Sequence, residues 1–310
     1  MGEVSIILQK TKREREKMFS LLKKTVIAVA FVITFAVAAS PVNYLSPGSE
    51  GYAYVNVSSL LRAKPLQQFI PIIEKELQNT GFKVSDFDGE LALGVNILSN
   101  GNKVQCNIDF VLGFKNAIAK KIFDRIKAAN KNMTVSSVAG KPSLSDKDAR
   151  IILQTPNTLI LQVHAEGTKP FNTLSTEGKN PLKEVAKQIR QFDLVIYLNV
   201  EKLAKKMQPL VTADDKEAAE VMAKIDSACI FAKIVQNDKC YVNLTINCKN
   251  AKDAETLAAY IRVLLDTTSR ENKDLNPLLS KIKCDVKGDQ IICQIFLDKN
   301  DIDTFKNLAK

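Results

Sequence analysis

Along residues 53–57, Ala53, Val55 and Val57 alternate with Tyr54 and Asn56, the period of two that sends one face of a strand into a core. Leu66, Phe69, Ile70, Ile73 and Leu77 follow at helical spacing, with Gly81 as a stop. Leu91–Ile97 and Val104–Leu112 then alternate on either side of Asn100-Gly101. Asn-Gly between alternating runs is a hairpin signal, because both central residues of a type I′ turn need positive φ. A two-residue loop there pairs Ile97 with Val104, Val95 with Cys106, Leu93 with Ile108 and Leu91 with Phe110, all apolar. Ile118, Ile122 and Ile126 mark a second helix, and strands Ile151–Thr155 and Leu159–His164 close the unit.

The pattern recurs. AYVNVSSLL at 53–61 aligns with IYLNVEKLA at 196–204, CNIDFVLGFKNA at 106–117 with CYVNLTINCKNA at 240–251, and LILQV at 159–163 with IICQI at 291–295. The three matches keep their order at offsets of 143, 134 and 132, which predicts a duplicated unit. In the second copy, strand Leu194–Val200 precedes a helix carrying Ala218, Val221, Met222 and Ile225. A hairpin, 227–236/239–248, turns at Asn237-Asp238. A helix with Ala254, Leu257, Ala258, Ile261, Leu264 and Leu265 leads to a last hairpin at Gly288-Asp289, and Asn300 or Asp301 caps a terminal helix. The fold class read from this is α+β. It consists of two tandem βαββαβ(β) units, with antiparallel or mixed sheets and helices on one face. The element order resembles the ferredoxin-like split βαβ fold, a resemblance of architecture that carries no function. The polar stretch 166–181 is the expected linker, dividing a first repeat at 41–165 from a second at 182–310.

Residues 1–40 change the picture. Lys23-Lys24 precedes an uncharged run, Thr25–Ser40, with small residues at Ala36 and Ala38, the form of a secretory signal cleaved after Ala38. Met18 is an alternative start with more conventional proportions. The competing reading is an anchor at 25–40, though that run is short against the roughly 20 residues a bilayer core needs. The expectation is an extracytoplasmic protein, periplasmic or secreted, of bacterial type. The full chain carries +10. Removing 1–38 takes away seven basic and three acidic residues and leaves +6, with scattered lysines and no basic run interleaved with aromatics, so nucleic acid is not an expected partner.

Little catalytic chemistry survives inspection. One histidine excludes His-Glu-x-x-His, no two cysteines have Cys-x-x-Cys spacing, and no nucleotide-binding glycine loop occurs. His164 reads as a polar-face strand residue without triad partners. Asp86/Asp88, Asp146/Asp148 and Asp301/Asp303 read as loops and caps. No catalytic residue, metal or cofactor is assigned. The cysteines fall on apolar strand faces. The Gly288-Asp289 turn sets Cys284 opposite Cys293, where the pair can close as a disulfide or remain two buried thiols.

The remaining lead is the polar strand face. The first copy gathers Tyr54, Asn56, Asn107, Asp109 and Gln162; the second gathers Tyr197, Asn199, Tyr241, Asn243, Thr245 and Gln294. Amides, hydroxyls and rings on a sheet suit contact with an envelope polymer or a protein, whereas a solvated or inter-repeat face would show the same residues. The function read from the sequence is an exported, non-catalytic binding or scaffold protein of unknown ligand. The alternatives are an envelope hydrolase with a site between the repeats, and a self-assembling structural subunit.

Overall fold

The computed structural model describes residues 41–45, 48–63, 67, 70–77, 82–100, 103–164, 189, 191–208, 216–235, 239–272, 275–301 and 304. The expected signal segment, the linker at 166–181, and Leu66, Phe69 and Gly81 lie outside the described residues.

Among the described residues, twelve strands form one sheet in which every pairing is antiparallel. They are β1 (Gly51–Asn56), β2 (Gly89–Asn100), β3 (Lys103–Phe114), β4 (Thr134–Val138), β5 (Lys141–Ser145), β6 (Ala149–Thr155), β7 (Thr158–Val163), β8 (Leu194–Asn199), β9 (Ile225–Val235), β10 (Lys239–Cys248), β11 (Lys283–Lys287) and β12 (Gln290–Leu297). Their order across the sheet is β11-β12-β10-β9-β8-β1-β2-β3-β7-β6-β5-β4. The ferredoxin-like order is therefore corrected. A split βαβ unit has another strand between the two that the helix joins, whereas β1 and β2 are direct neighbours.

The halves meet edge to edge at β1 and β8, with Ala53 opposite Ile196. Those two residues are equivalent in the sequence alignment, so a local two-fold relates the strands on either side. The registers repeat as well. A row across the first half runs Ala53, Leu93, Phe110, Leu161, Ile151. The matching row of the second runs Ile196, Ile230, Leu244, Cys293, Cys284. Among the described strands, the hairpin β4–β5 has no counterpart. Its turn places Ala139 and Gly140 at φ 47 and 75.

Helices cover one face. Ile118, Ala119 and Phe123 of α3 (Ile118–Ala129) pack on Phe114, Leu144, Ile151 and Leu159. Ala254, Leu257 and Ala258 of α6 (Ala251–Glu271) pack on Ile246, Cys248, Ile291 and Cys293. Near the centre, Val57 and Leu60 of α1 (Val57–Arg62) close over Val55 and Leu91. Each large aliphatic or aromatic side chain so buried contributes about 1.5–3 kcal/mol. The other helices among the described residues are α2 (Ile70–Leu77), α4 (Val200–Met207), α5 (Lys216–Met222) and α7 (Asn276–Leu279).

Three local expectations shift. The first hairpin pairs Ile97 with Cys106 and Leu91 with Leu112, two residues from the expected register. A slip of two keeps every side chain on its own face, so the apolar pattern fits both registers equally. The second hairpin pairs Lys239 with Val235, one residue from the expected pairing with residue 236; Asn237-Asp238 lies outside the described residues. The last helical stretch opens on Asp298, whose carboxylate accepts from the N–H groups of Asn300 and Asp301. The β11–β12 register, Lys287 opposite Gln290, is the one read from Gly288-Asp289.

Candidate binding face

Strand parity places Tyr54, Asn107, Asp109, Gln162, Tyr197, Tyr241, Asn243, Thr245 and Gln294 on the sheet face opposite α3 and α6. The two halves of that face have different fates.

In the first half it is a core. Val42, in a 3-10 turn at Pro41–Tyr44, Leu45 just after that turn, and Ile189 close over Tyr52, Tyr54, Ala92, Val111, Ile152 and Ile160. Gly94 makes room for this lid, since a Cβ there would lie 3.2 Å from Ser49 Oγ. Tyr54 is 1% exposed and Asp109 0%, and Asn107 and Gln162 are buried with them. These four are corrected as ligand contacts, because their side chains are buried within the fold. Gln162 donates from Nε2 to Asp109 at 2.9 Å and accepts at Oε1 from Arg150 Nε and Nη2 at 2.9 and 2.7 Å. The amide thus links an acid to a base inside the fold. Burial holds the Arg150 guanidinium below its ordinary pKa, against the pull of Asp109. His164 is also buried, and its backbone N–H donates to the carbonyl of Asp148.

Asn56 and Asn199 are corrected too. Each ends its strand and caps the helix that follows. Asn56 Oδ1 accepts from Ser59 N at 3.1 Å, and Asn199 Oδ1 accepts from Lys202 N at 2.8 Å. The repeated Tyr-x-Asn is a strand-to-helix device. Tyr197 lies half-buried with its ring centroid 6.3 Å from that of Tyr52.

In the second half the face is partly open. Tyr241 and Phe296 form a tilted pair with centroids 4.8 Å apart, and Phe296 is 65% exposed. Gln294 Nε2 donates to Tyr241 Oη at 2.6 Å, and Asn243 and Thr245 sit half-buried beside them. The registers explain the contrast. Position by position, Phe231 stands where the first half has Gly94, Thr245 where it has Val111, Asp285 where it has Ile152, and Tyr241 where it has Asn107. Phe231 stacks on Phe192 with centroids 4.9 Å apart, filling the place that Gly94 leaves for the lid.

Glu50, which strand patterning did not single out, anchors the junction of the halves. It is 2% exposed, accepts from Ile97 N at 2.6 Å, and pairs with Lys202 and Lys206 at 3.0 and 2.9 Å. Burial by itself would raise its pKa; the Ile97 N–H and the two ammonium groups outweigh that and hold it below the ordinary value.

The acidic pairs are spent locally. Asp86 accepts from Lys83 N, Asp88 from Ser58 and Lys115, and Asp146 from the N–H groups of Asp148 and Ala149. Asp301 is bound through both oxygens by Lys281 at 2.7 Å; Asp303 lies outside the described residues. Burial pushes the Cys229 thiol up to about 12, Cys240 to about 11, and Cys248 upward as well, which leaves no thiolate character in these three at neutral pH. Cys284 and Cys293 are joined as a disulfide, with Cα atoms 4.1 Å apart. Among the described residues no group of His, Cys, Asp and Glu is placed to hold a metal ion.

No protein-family model and no curated protein matches the chain. The fold is similar to that of TP0453. Crystal form III of that protein is 11% identical, with a TM-score of 0.50 over 87% of this chain and 99% of the other. Crystal form I is 12% identical, with a TM-score of 0.47 over 88% and 99%. At this identity the likeness to TP0453 concerns the fold alone, a mixed α/β architecture around a large antiparallel sheet.

Proposed function

We propose that this is an exported, non-catalytic binding or scaffold protein that meets its ligand on the open second half of the sheet face. The observation that carries the reading is the Tyr241–Phe296 pair, with Phe296 exposed and Tyr241 half-buried beside Gln294, Asn243 and Thr245, on a face whose first-half equivalent is closed over by Val42 and Leu45. Rings for stacking and neutral amides for hydrogen bonds suit an uncharged polar polymer of the envelope. Export rests on the apolar run at 25–40, and the two-repeat organisation, 41–165 and 182–310, rests on the matched registers of a duplicated unit.

The test is retention on isolated cell-wall polymer. Tyr241→Ala and Phe296→Ala are each expected to weaken retention by more than about 1 kcal/mol, as central aromatic contacts do, with little change in melting temperature. Unchanged retention in both variants would remove the reading.

A further inference from the structure

The two outer edges of the sheet are built differently. At one end β11 presents Lys283, Asp285 and Lys287, all exposed, as alternating charges that discourage another strand from pairing. At the other end β4 is Thr-Val-Ser-Ser-Val, without charge or proline. Residues 134–137 are exposed, and Val135 is 57% exposed. Among the described residues β4 pairs with β5 alone, so its second row of backbone N–H and C=O groups faces outward from the described sheet. Among the described residues this hairpin has no equivalent in the second half, and its Ala139-Gly140 turn holds it in a conformation costly for an alanine.

Charge around the edge selects what can pair there. Lys127 and Lys131 precede β4 and Lys141 follows it. The adjoining α3 adds Lys120, Lys121 and Arg125 against the single acid Asp124, which is already paired with Lys120. A second copy pairing antiparallel through its own β4 would bring Lys131 of one chain towards Lys141 of the other. Like charges so placed oppose the contact. An extended segment with acidic flanks instead meets Lys131 and Lys141 with opposite charge, the neighbouring Asp146 being already bound by the N–H groups of Asp148 and Ala149, and takes the same main-chain hydrogen bonds.

We propose that β4 is a strand-addition site for an extended peptide segment flanked by acidic residues, separate from the open face of the second half. The main chain of β4 supplies the hydrogen bonds, Val135 the apolar contact on one side of the added strand, and Lys131 and Lys141 the charge recognition at its ends.

The experiment uses a short synthetic peptide of alternating valine and threonine flanked by aspartates, and the same core flanked by lysines, with amide hydrogen exchange as the readout. The expected result is protection of residues 134–138 by the aspartate-flanked peptide alone. Its affinity should fall about tenfold in the Lys131→Glu/Lys141→Glu variant and also fall with added salt. No protection at 134–138, or equal protection by both peptides, overturns the proposal. A free protein that is dimeric by light scattering with 134–138 already protected overturns it in favour of a second copy. The two-peptide comparison needs only the unaltered protein, so it stands whatever the variant does to folding.

Discussion

Single residues do structural work that their types disguise. Tyr54 has the composition of a contact residue, yet it is one of the largest fully buried side chains in the molecule. Tyr54→Ala is expected to cost about 3–5 kcal/mol, the usual range for an aromatic removed from a core, read as a lowered denaturant midpoint. Asn56→Ala and Asn199→Ala should each cost about 1 kcal/mol as lost caps, leaving retention on cell-wall polymer unchanged. Glu50 makes a pH-dependent contribution. Its pKa is lower in the fold than the ordinary 4.5, so its stabilisation is complete above that value and is lost as pH falls through the folded-state pKa. Acid unfolding of the wild type beside Glu50→Gln should show a stability gap that is full at neutral pH and shrinks below 4.5. A gap independent of pH would mean that the ion pairs with Lys202 and Lys206 contribute nothing.

At the scale of elements, alternation and turn chemistry were legible to different depths. Leu91–Ile97 identified its strand and its face, but two registers that differ by two residues satisfy the same pattern, and Asn100-Gly101 pointed to the wrong one. Gly288-Asp289 sits in a short hairpin with a single fitting register, and there the placing of Cys284 opposite Cys293 could be read directly, with a disulfide and two buried thiols both open. Peptide mapping under non-reducing conditions is expected to recover those two cysteines as one linked pair; two free thiols would contradict the bond. The β4–β5 hairpin escaped the sequence reading because Pro142 demotes a strand and Ala139-Gly140 is a poor match to a type I′ turn. Ala139→Asn restores the preferred residue at a positive φ and should stabilise the protein by about 0.5–1 kcal/mol, measured by thermal unfolding.

Across the whole molecule, three aligned segments pointed to strands of matching register, whereas the way those strands join at β1 and β8 was not readable. Ala53 and Ile196 alternate like any half-buried strand residues, and nothing in their sequence says that β1 and β8 pair with each other. The candidate face was likewise read as one set of polar residues. Which half is covered depends on Val42, Leu45 and Gly94, and Val42 and Leu45 lie outside the strands that define the face. Hydroxyl-radical footprinting with and without cell-wall polymer tests the central claim most directly. The account predicts that Tyr241 and Phe296 label readily in the free protein and are protected by the polymer, while Tyr52 and Tyr54 stay unlabelled throughout. Ready labelling of Tyr54, or labelling of Tyr241 and Phe296 that the polymer leaves unchanged, would contradict it.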